Sequence, residues 1–176
     1  MRVARTFGFI DLCGFTSFTA QQGDEVAVDL LARFRHAVRE VASERGVRVA
    51  KWVGDGAMFV SVERDTLVAA VLEIEQLFER EGMPLALRAG VSHGDVILFE
   101  GDDYIGSAVN LAARLCDIAS AHEVLATPEV TEALPAWATA DPASPLDVPG
   151  FSAPVPVCRV RLRDHDVDLG AQIQAR

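Results

Sequence analysis

Val47-Arg48-Val49-Ala50-Lys51-Trp52-Val53-Gly54-Asp55-Gly56-Ala57-Met58-Phe59-Val60-Ser61-Val62 places two short apolar runs on either side of Gly54-Asp55-Gly56. Apolar runs joined by a glycine-aspartate turn are a strong short-range signal of a β-hairpin, so strands are predicted at 47–53 and 57–62. Upstream, Val26, Leu30, Phe34, Val38 and Val41 recur every three or four residues, and Gly46 supplies a stop. This is a helix over 24–45. Before it, residues 2–11 alternate around Val3, Phe7 and Phe9 as a first strand that runs into the turn at Gly14. Downstream, the pattern predicts a helix over 66–81. A strand pair at 85–92 and 96–99 then turns at His93-Gly94-Asp95, and a helix follows over 106–118.

The resulting order is β-α-β-β-α-β with a further strand and helix appended. The expected fold class is α/β of the α+β kind: a ferredoxin-like core carrying a mostly antiparallel sheet. After Pro135 the chain is rich in Pro, Ala and Asp, then recovers a strand-like run at 155–162. Residues 1–163 read as one domain and 164–176 as a polar C-terminal tail.

The chain has 176 residues, is half hydrophobic by count and carries a net charge of −10. That is enough apolar material for one substantial core. The negative charge repels a phosphate backbone and no Lys/Arg cluster offsets it, so nucleic acid is not an expected partner. No apolar stretch approaches the roughly 20 residues needed to cross a bilayer, and no signal-peptide core is seen. A membrane partner is therefore not expected, and the chain reads as cytoplasmic. Cys13, Cys116 and Cys158 are scattered and lack metal-ligand spacing, so they read as reduced core thiols. His36, His93, His122 and His165 read as structural or surface residues, and the Phe7/Phe9 and Phe15/Phe18 pairs as core.

Several polar residues stand where the fold gives them something to do. Asp11 ends a strand and Asp55 tips the neighbouring hairpin, so both carboxylates project past one sheet edge. That arrangement suits two divalent cations, Mg²⁺ or Mn²⁺, which activate an attacking oxygen and neutralise leaving phosphates. Either aspartate alone is accounted for as a turn residue bonding its own backbone; it is the pair that points to metal. Gly14, Phe15 and Thr16 offer backbone N–H groups to a phosphate. Lys51 lies on an otherwise apolar strand and either snorkels outward or meets an acceptor. A lysine there can donate to adenine N1 while Asp103 accepts from the N6 amine, an arrangement that opposes two acceptors when guanine is bound. Asn110 and Arg114 share one helix face at i and i+4, where they are either a solvated pair or a ribose-orienting amide and a guanidinium for transition-state charge. Arg88, at the end of an apolar strand, could reach terminal phosphates.

Phe9-Ile10-Asp11-Leu12-Cys13-Gly14-Phe15-Thr16, Lys51-Trp52-Val53-Gly54-Asp55-Gly56 and Asp103-Tyr104-Ile105-Gly106-Ser107-Ala108-Val109-Asn110-Leu111-Ala112-Ala113-Arg114 together resemble the catalytic domain of the class III nucleotidyl cyclases, adenylate type, over about residues 5–162. The resemblance implies conversion of ATP to 3′,5′-cyclic AMP and pyrophosphate by two-metal-ion catalysis. It matches Asp11 and Asp55 to the metal ligands, Lys51 and Asp103 to the adenine-selecting pair, Asn110 and Arg114 to the transition-state pair, and Arg88 to a phosphate-binding arginine. It also implies a head-to-tail homodimer, in which the metal residues of one protomer meet the base and transition-state residues of the other in two shared sites. One position departs from the pattern. Where the family often carries a lysine before a glycine near the triphosphate, this chain has Pro149 before Gly150, which offers neither charge nor N–H. Pro149 favours the alternative of a low-activity or non-catalytic cyclase-like nucleotide-binding module. A guanylate cyclase is disfavoured by Lys51 and Asp103. A ferredoxin-like RNA-binding module is disfavoured by the acidic charge and the lack of an aromatic platform.

Overall fold

β1 (Arg2–Leu12) runs through the middle of the sheet, and its alternation sorts the domain into two layers. Phe7 and Phe9 point to one face, Ile10 and Leu12 to the other. β1 pairs antiparallel with β3 (Gly56–Ser61) on one side and β4 (Leu87–Phe99) on the other, while β2 (Arg48–Val53) lies outside β3. Helices α2 (Asp24–Arg45) and α3 (Arg64–Arg80) connect β1 to β2 and β3 to β4. The strand order β2-β3-β1-β4 is the expected ferredoxin-like core. The computed structural model describes residues 1–101 and 103–163, so the tail expected at 164–176 lies outside the described residues.

Phe34, Val38 and Val41 of α2 pack with Leu67, Val71, Ile74 and Phe78 of α3 over Ile10, Leu12, Phe59 and Val91 of the sheet. The opposite face is covered by α4 (Ser107–Ile118), whose Ala108 and Ala112 sit against Phe7, Met58, Val60 and Val96. The sheet continues beyond β4 through β6 (Val124–Ala126) and β8 (Val155–Leu162) to an edge strand, β7 (Ala138–Leu146). Only the β4–β6 pairing is parallel among the described strands. Within those residues no helix is long and apolar enough to cross a membrane.

Three local expectations need correction. The first is the turn at His93-Gly94-Asp95: β4 runs unbroken through it, with these residues paired to Thr6, Arg5 and Ala4 of β1. Gly94 serves a close approach instead of a turn, since a Cβ there would lie 3.2 Å from the Ala108 Cβ of α4. The chain reverses later, where Glu100 and Gly101 take φ of 48° and 89° and β5 (Asp103–Ile105) returns along β4. The second is the Pro/Ala/Asp-rich segment, which contains β7; its Pro142 and Pro145 are tolerated because an edge strand leaves N–H positions unpaired. The third is α1 (Phe15–Gln22), where only a turn was expected. None of its residues is fully buried, so it leaves no apolar stripe in the sequence.

Gly90 sets how closely α4 lies on β4. A Cβ at that position would stand 2.3 Å from both the Ala112 carbonyl oxygen and the Cys116 backbone nitrogen. Both neighbours are backbone and cannot swing aside. Gly90→Ala is therefore expected to cost at least the 1–3 kcal/mol typical of overpacking, about 3 kcal/mol or more, and to lower the midpoint of thermal unfolding by several degrees. An unchanged melting curve would show that α4 can lift off the sheet freely.

Candidate active site

Asp11 leaves the α4 face of the sheet one residue before β1 ends, opposite Gly56 on one neighbour and Arg88 on the other. Arg88 donates from Nε (3.1 Å) and Nη2 (2.7 Å) to Asp11 Oδ2, and from Nη1 (2.8 Å) to the Asp117 carbonyl near the C-terminal end of α4. The Asp11 hydrogen bonds push the guanidinium further toward its charged form. Its third contact meets the negative end of a helix dipole. Asp55 occupies the second place of a two-residue turn closed by the Val53–Gly56 pair, and Gly54, at φ 59°, supplies the positive first position of a type II′ hairpin. Burial first, and then the charge of Asp11, push the Asp55 carboxyl above its usual range, partly offset by its own backbone hydrogen bond and by Arg88.

These residues fit a hard divalent cation. The Asp11 charge raises the cost of ionising Asp55, and positive charge between the two carboxylates relieves it. The space beside Asp11 is kept by Gly56, whose missing Cβ would stand 3.1 Å from Asp11 Oδ1 and 2.6 Å from the Ile10 carbonyl oxygen. Among the described residues no cluster of three or more His, Cys, Asp or Glu forms a closed metal cage. Mg²⁺ characteristically binds one or two carboxylates and takes its other ligands from water and phosphate.

Immediately after Asp11, Gly14 adopts φ 78° and caps α1. The Phe18 N–H bonds back to the Gly14 carbonyl at 3.0 Å, so the amides of Phe15 and Thr16 lie in the helix's first turn, which has no intrahelical acceptor for them. Phe15 is partly buried against the core and anchors this turn, while Thr16 is exposed. The placement suits an anion next to the carboxylates.

Lys51 and Asp103 meet at the other end of α4. Lys51 pairs in register with Met58 and so shares the α4 face, and its Nζ bonds directly to Asp103 Oδ1 from 52 residues away. Both side chains are about half exposed, at 53% and 51%. A pair this open contributes little to stability. Asn110 and Arg114 lie exposed on α4, with Arg114 Nη1 3.5 Å from Asp117 Oδ2. Ten residues of helix, about 15 Å, separate Ser107, which follows the Asp103 strand, from Asp117, which meets Arg88. The Asp11–Arg88 contact and the Lys51–Asp103 pair are thus held at opposite ends of one helix, with Arg114 one turn from the Asp117 end.

Sequence reading passed over Arg35, whose Nη2 donates to the Gly54 carbonyl at 3.4 Å behind the Asp55 turn. Its signal was the i, i+4 pair Arg35 and Arg39 opposite a strand tryptophan. Of the residues set aside, His93 Nδ1 bonds Thr6 Oγ1 at 2.9 Å and His122 lies 3.3 Å from Glu75, while His165 is outside the described residues. Cys13 is only partly buried, unlike Cys116 and Cys158.

With this geometry in place, comparison decides the family: the family described as adenylate and guanylate cyclase catalytic domain matches residues 4–153. The chain belongs to that cyclase family. An adenylate cyclase of Streptomyces coelicolor is 34% identical over 128 residues, 72% of this chain and 33% of the relative. An uncharacterised protein of Mycobacterium tuberculosis is 38% identical over 148 residues, 84% of this chain and 39% of its own length. The chain therefore spans 29–40% of the length of the curated relatives it matches. The crystal structure of the adenylyl cyclase CyaB from P. aeruginosa superimposes with a TM-score of 0.77 at 28% identity, covering 95% of this chain and 98% of that one. The α+β fold with its appended strands is the cyclase fold.

In this cyclase domain Pro149 lies on the exposed connection between β7 and β8. The Phe151 N–H bonds the Val148 carbonyl at 3.0 Å, Gly150 follows with φ 92°, and Val148 is buried. Proline then glycine inside such a turn is the type II pattern. Pro149 shapes the loop and brings no charge to it.

Proposed function

We propose that the domain is an adenylate cyclase that converts ATP to 3′,5′-cyclic AMP and pyrophosphate in two sites shared across a head-to-tail homodimer. The observation that supports the choice of base is the direct Lys51–Asp103 pair, a donor and an acceptor side by side whose chemistry complements adenine N1 and the N6 amine. Two divalent cations, Mg²⁺ or Mn²⁺, held by Asp11 and Asp55 would activate the ribose 3′-oxygen and neutralise the departing pyrophosphate. The 3′-oxygen attacks the α-phosphorus in line. Asn110 orients the ribose and Arg114 holds the charge that develops on the transferring phosphate. The first-turn amides at Phe15 and Thr16 receive phosphate oxygens. Arg88 reaches the triphosphate only by leaving Asp11, a move favoured by like-charge repulsion once Asp11 carries a cation.

The distance along α4 between the Lys51–Asp103 pair and the carboxylates supports sharing between protomers, because a base held by that pair then lies far from the metal residues of the same chain. The alternative of a weak or non-catalytic nucleotide-binding module is favoured by Pro149. The deciding experiment is product analysis of purified protein given ATP or GTP in Mg²⁺ and in Mn²⁺. Cyclic AMP from ATP is the expected result; nucleotide binding with neither cyclic product would establish the alternative.

Base choice has its own test. Lys51→Glu combined with Asp103→Cys is expected to lower ATP turnover at least about tenfold more than GTP turnover, since each mismatched polar contact in a closed site costs roughly 1–3 kcal/mol. Both positions are half exposed, so the melting temperature should hold. Equal losses with the two nucleotides would mean that the pair supports the site without reading the base.

A further inference from the structure

The turn that carries Asp55 has little of its own to hold it. Gly54 and Asp55 lie beyond the last strand pair, and Val53 next to them is 52% exposed. Behind the turn, on α2, Arg35 and Arg39 both bring their guanidinium carbons to the Trp52 ring, at 5.1 Å and 5.0 Å from its centroid. Trp52 in turn stands edge-on to Phe34 at 6.3 Å, and Phe34 is fully buried and edge-on to Phe78. Among the described residues neither arginine makes an ion pair, and the Arg35 Nε is buried without a hydrogen-bond partner. Two like charges one helical turn apart repel. What compensates them here is the face of Trp52 and, for Arg35, the Gly54 carbonyl.

We infer that Arg35 is a positioning residue for Asp55: stacked on Trp52, it fixes the Gly54 carbonyl and so the placement of the carboxylate that follows. The inference rests on the cyclase reading above, in which Asp55 holds metal. Arg35 touches neither metal nor substrate. Its loss therefore changes how tightly metal is held while leaving base choice alone.

The test is a titration of the full chain with Mn²⁺ in the presence of 3′-deoxy-ATP, which lacks the attacking hydroxyl, followed by water-proton relaxation. Outer-shell partners of metal ligands typically govern about a tenfold to hundredfold change in metal affinity. Arg35→Ala is thus expected to weaken apparent Mn²⁺ affinity about tenfold or more. Trp52→Phe, which keeps an aromatic face, should stay near the wild type, and Trp52→Ala should follow Arg35→Ala. Turnover by Arg35→Ala should recover at saturating Mn²⁺ with an unchanged preference for ATP over GTP. Should Arg35→Ala unfold, Arg35→Lys keeps a cation but loses the planar stack and gives the same reading. Wild-type Mn²⁺ affinity in a folded Arg35 variant overturns this inference alone. So does lost turnover that added Mn²⁺ fails to restore. A wild-type chain that binds no Mn²⁺ overturns the cyclase reading and this inference with it.

Discussion

Asp11→Ala and Asp55→Ala should each remove the proposed metal-dependent cyclic AMP formation, with opposite effects on the fold. A cation's share of transition-state stabilisation is several kcal/mol, and about 4 kcal/mol corresponds to roughly a thousandfold in rate, so residual turnover of about 0.1% or less is expected from either variant. Asp11 holds two of the three Arg88 hydrogen bonds, so its removal leaves a partly buried guanidinium with only the Asp117 carbonyl. Asp11→Ala should destabilise by about 1–3 kcal/mol, and Asp11→Asn by less. Asp55 is the reverse case. Its carboxyl is pushed up in the folded protein by burial and by the Asp11 charge, so its ionised form at neutral pH works against folding. Taking that charge away should leave the melting temperature level or raise it. Cyclic AMP yield against Mn²⁺ concentration, measured beside thermal melts, checks both. Retained activity in either variant would sink the metal assignment, and a destabilised Asp55→Ala would refute the electrostatic account of that residue.

Mixing Asp11→Ala with Asn110→Ala protein, each inactive alone, should restore activity under conditions that let subunits exchange. In the mixed dimer one site receives both damaged halves and the other receives two intact ones. Random exchange makes half the dimers mixed with one working site each, so about a quarter of the wild-type rate should return. Sites contained in single chains cannot produce that result. Mixing Asp11→Ala with Asp55→Ala should restore nothing, because both changes damage the metal half. Silence in the first mixture despite demonstrated exchange, or recovery in the second, would mean that the residues were assigned to the wrong protomers.

The core was legible where burial imposes a period. The α2 stripe from Leu30 to Val41 and the alternation of β1 fixed a helix and a strand in advance, and the same alternation put Asp11 on the face of Phe7 and Phe9. The hairpin announced itself through Gly54 and Asp55, and the structure sets Lys51 beside Asp103. Signals failed where a residue has two uses. Gly94 looked like a turn and is a point of contact with α4; prolines in β7 looked like loop and lie on a free edge. Arg35 could not be found by spacing alone, since its meaning depends on Trp52 and Gly54 arriving from another element. The fork of Arg88 on Asp11 was hidden for the same reason, as the two residues are 77 positions apart.

The bare contact between Gly90 and the backbone of α4 has a consequence for how such a domain can diversify. No side chain lies between strand and helix at that point, so no exchange of a larger for a smaller one there can adjust the seat of α4, which carries Asn110 and Arg114. Lys51 and Asp103 are half exposed and packed against little, so they can be replaced at small cost to folding. Under the roles proposed for these residues, change in substrate preference is therefore open to gradual substitution, while the pair proposed to handle the phosphate stays tied to the seat of α4.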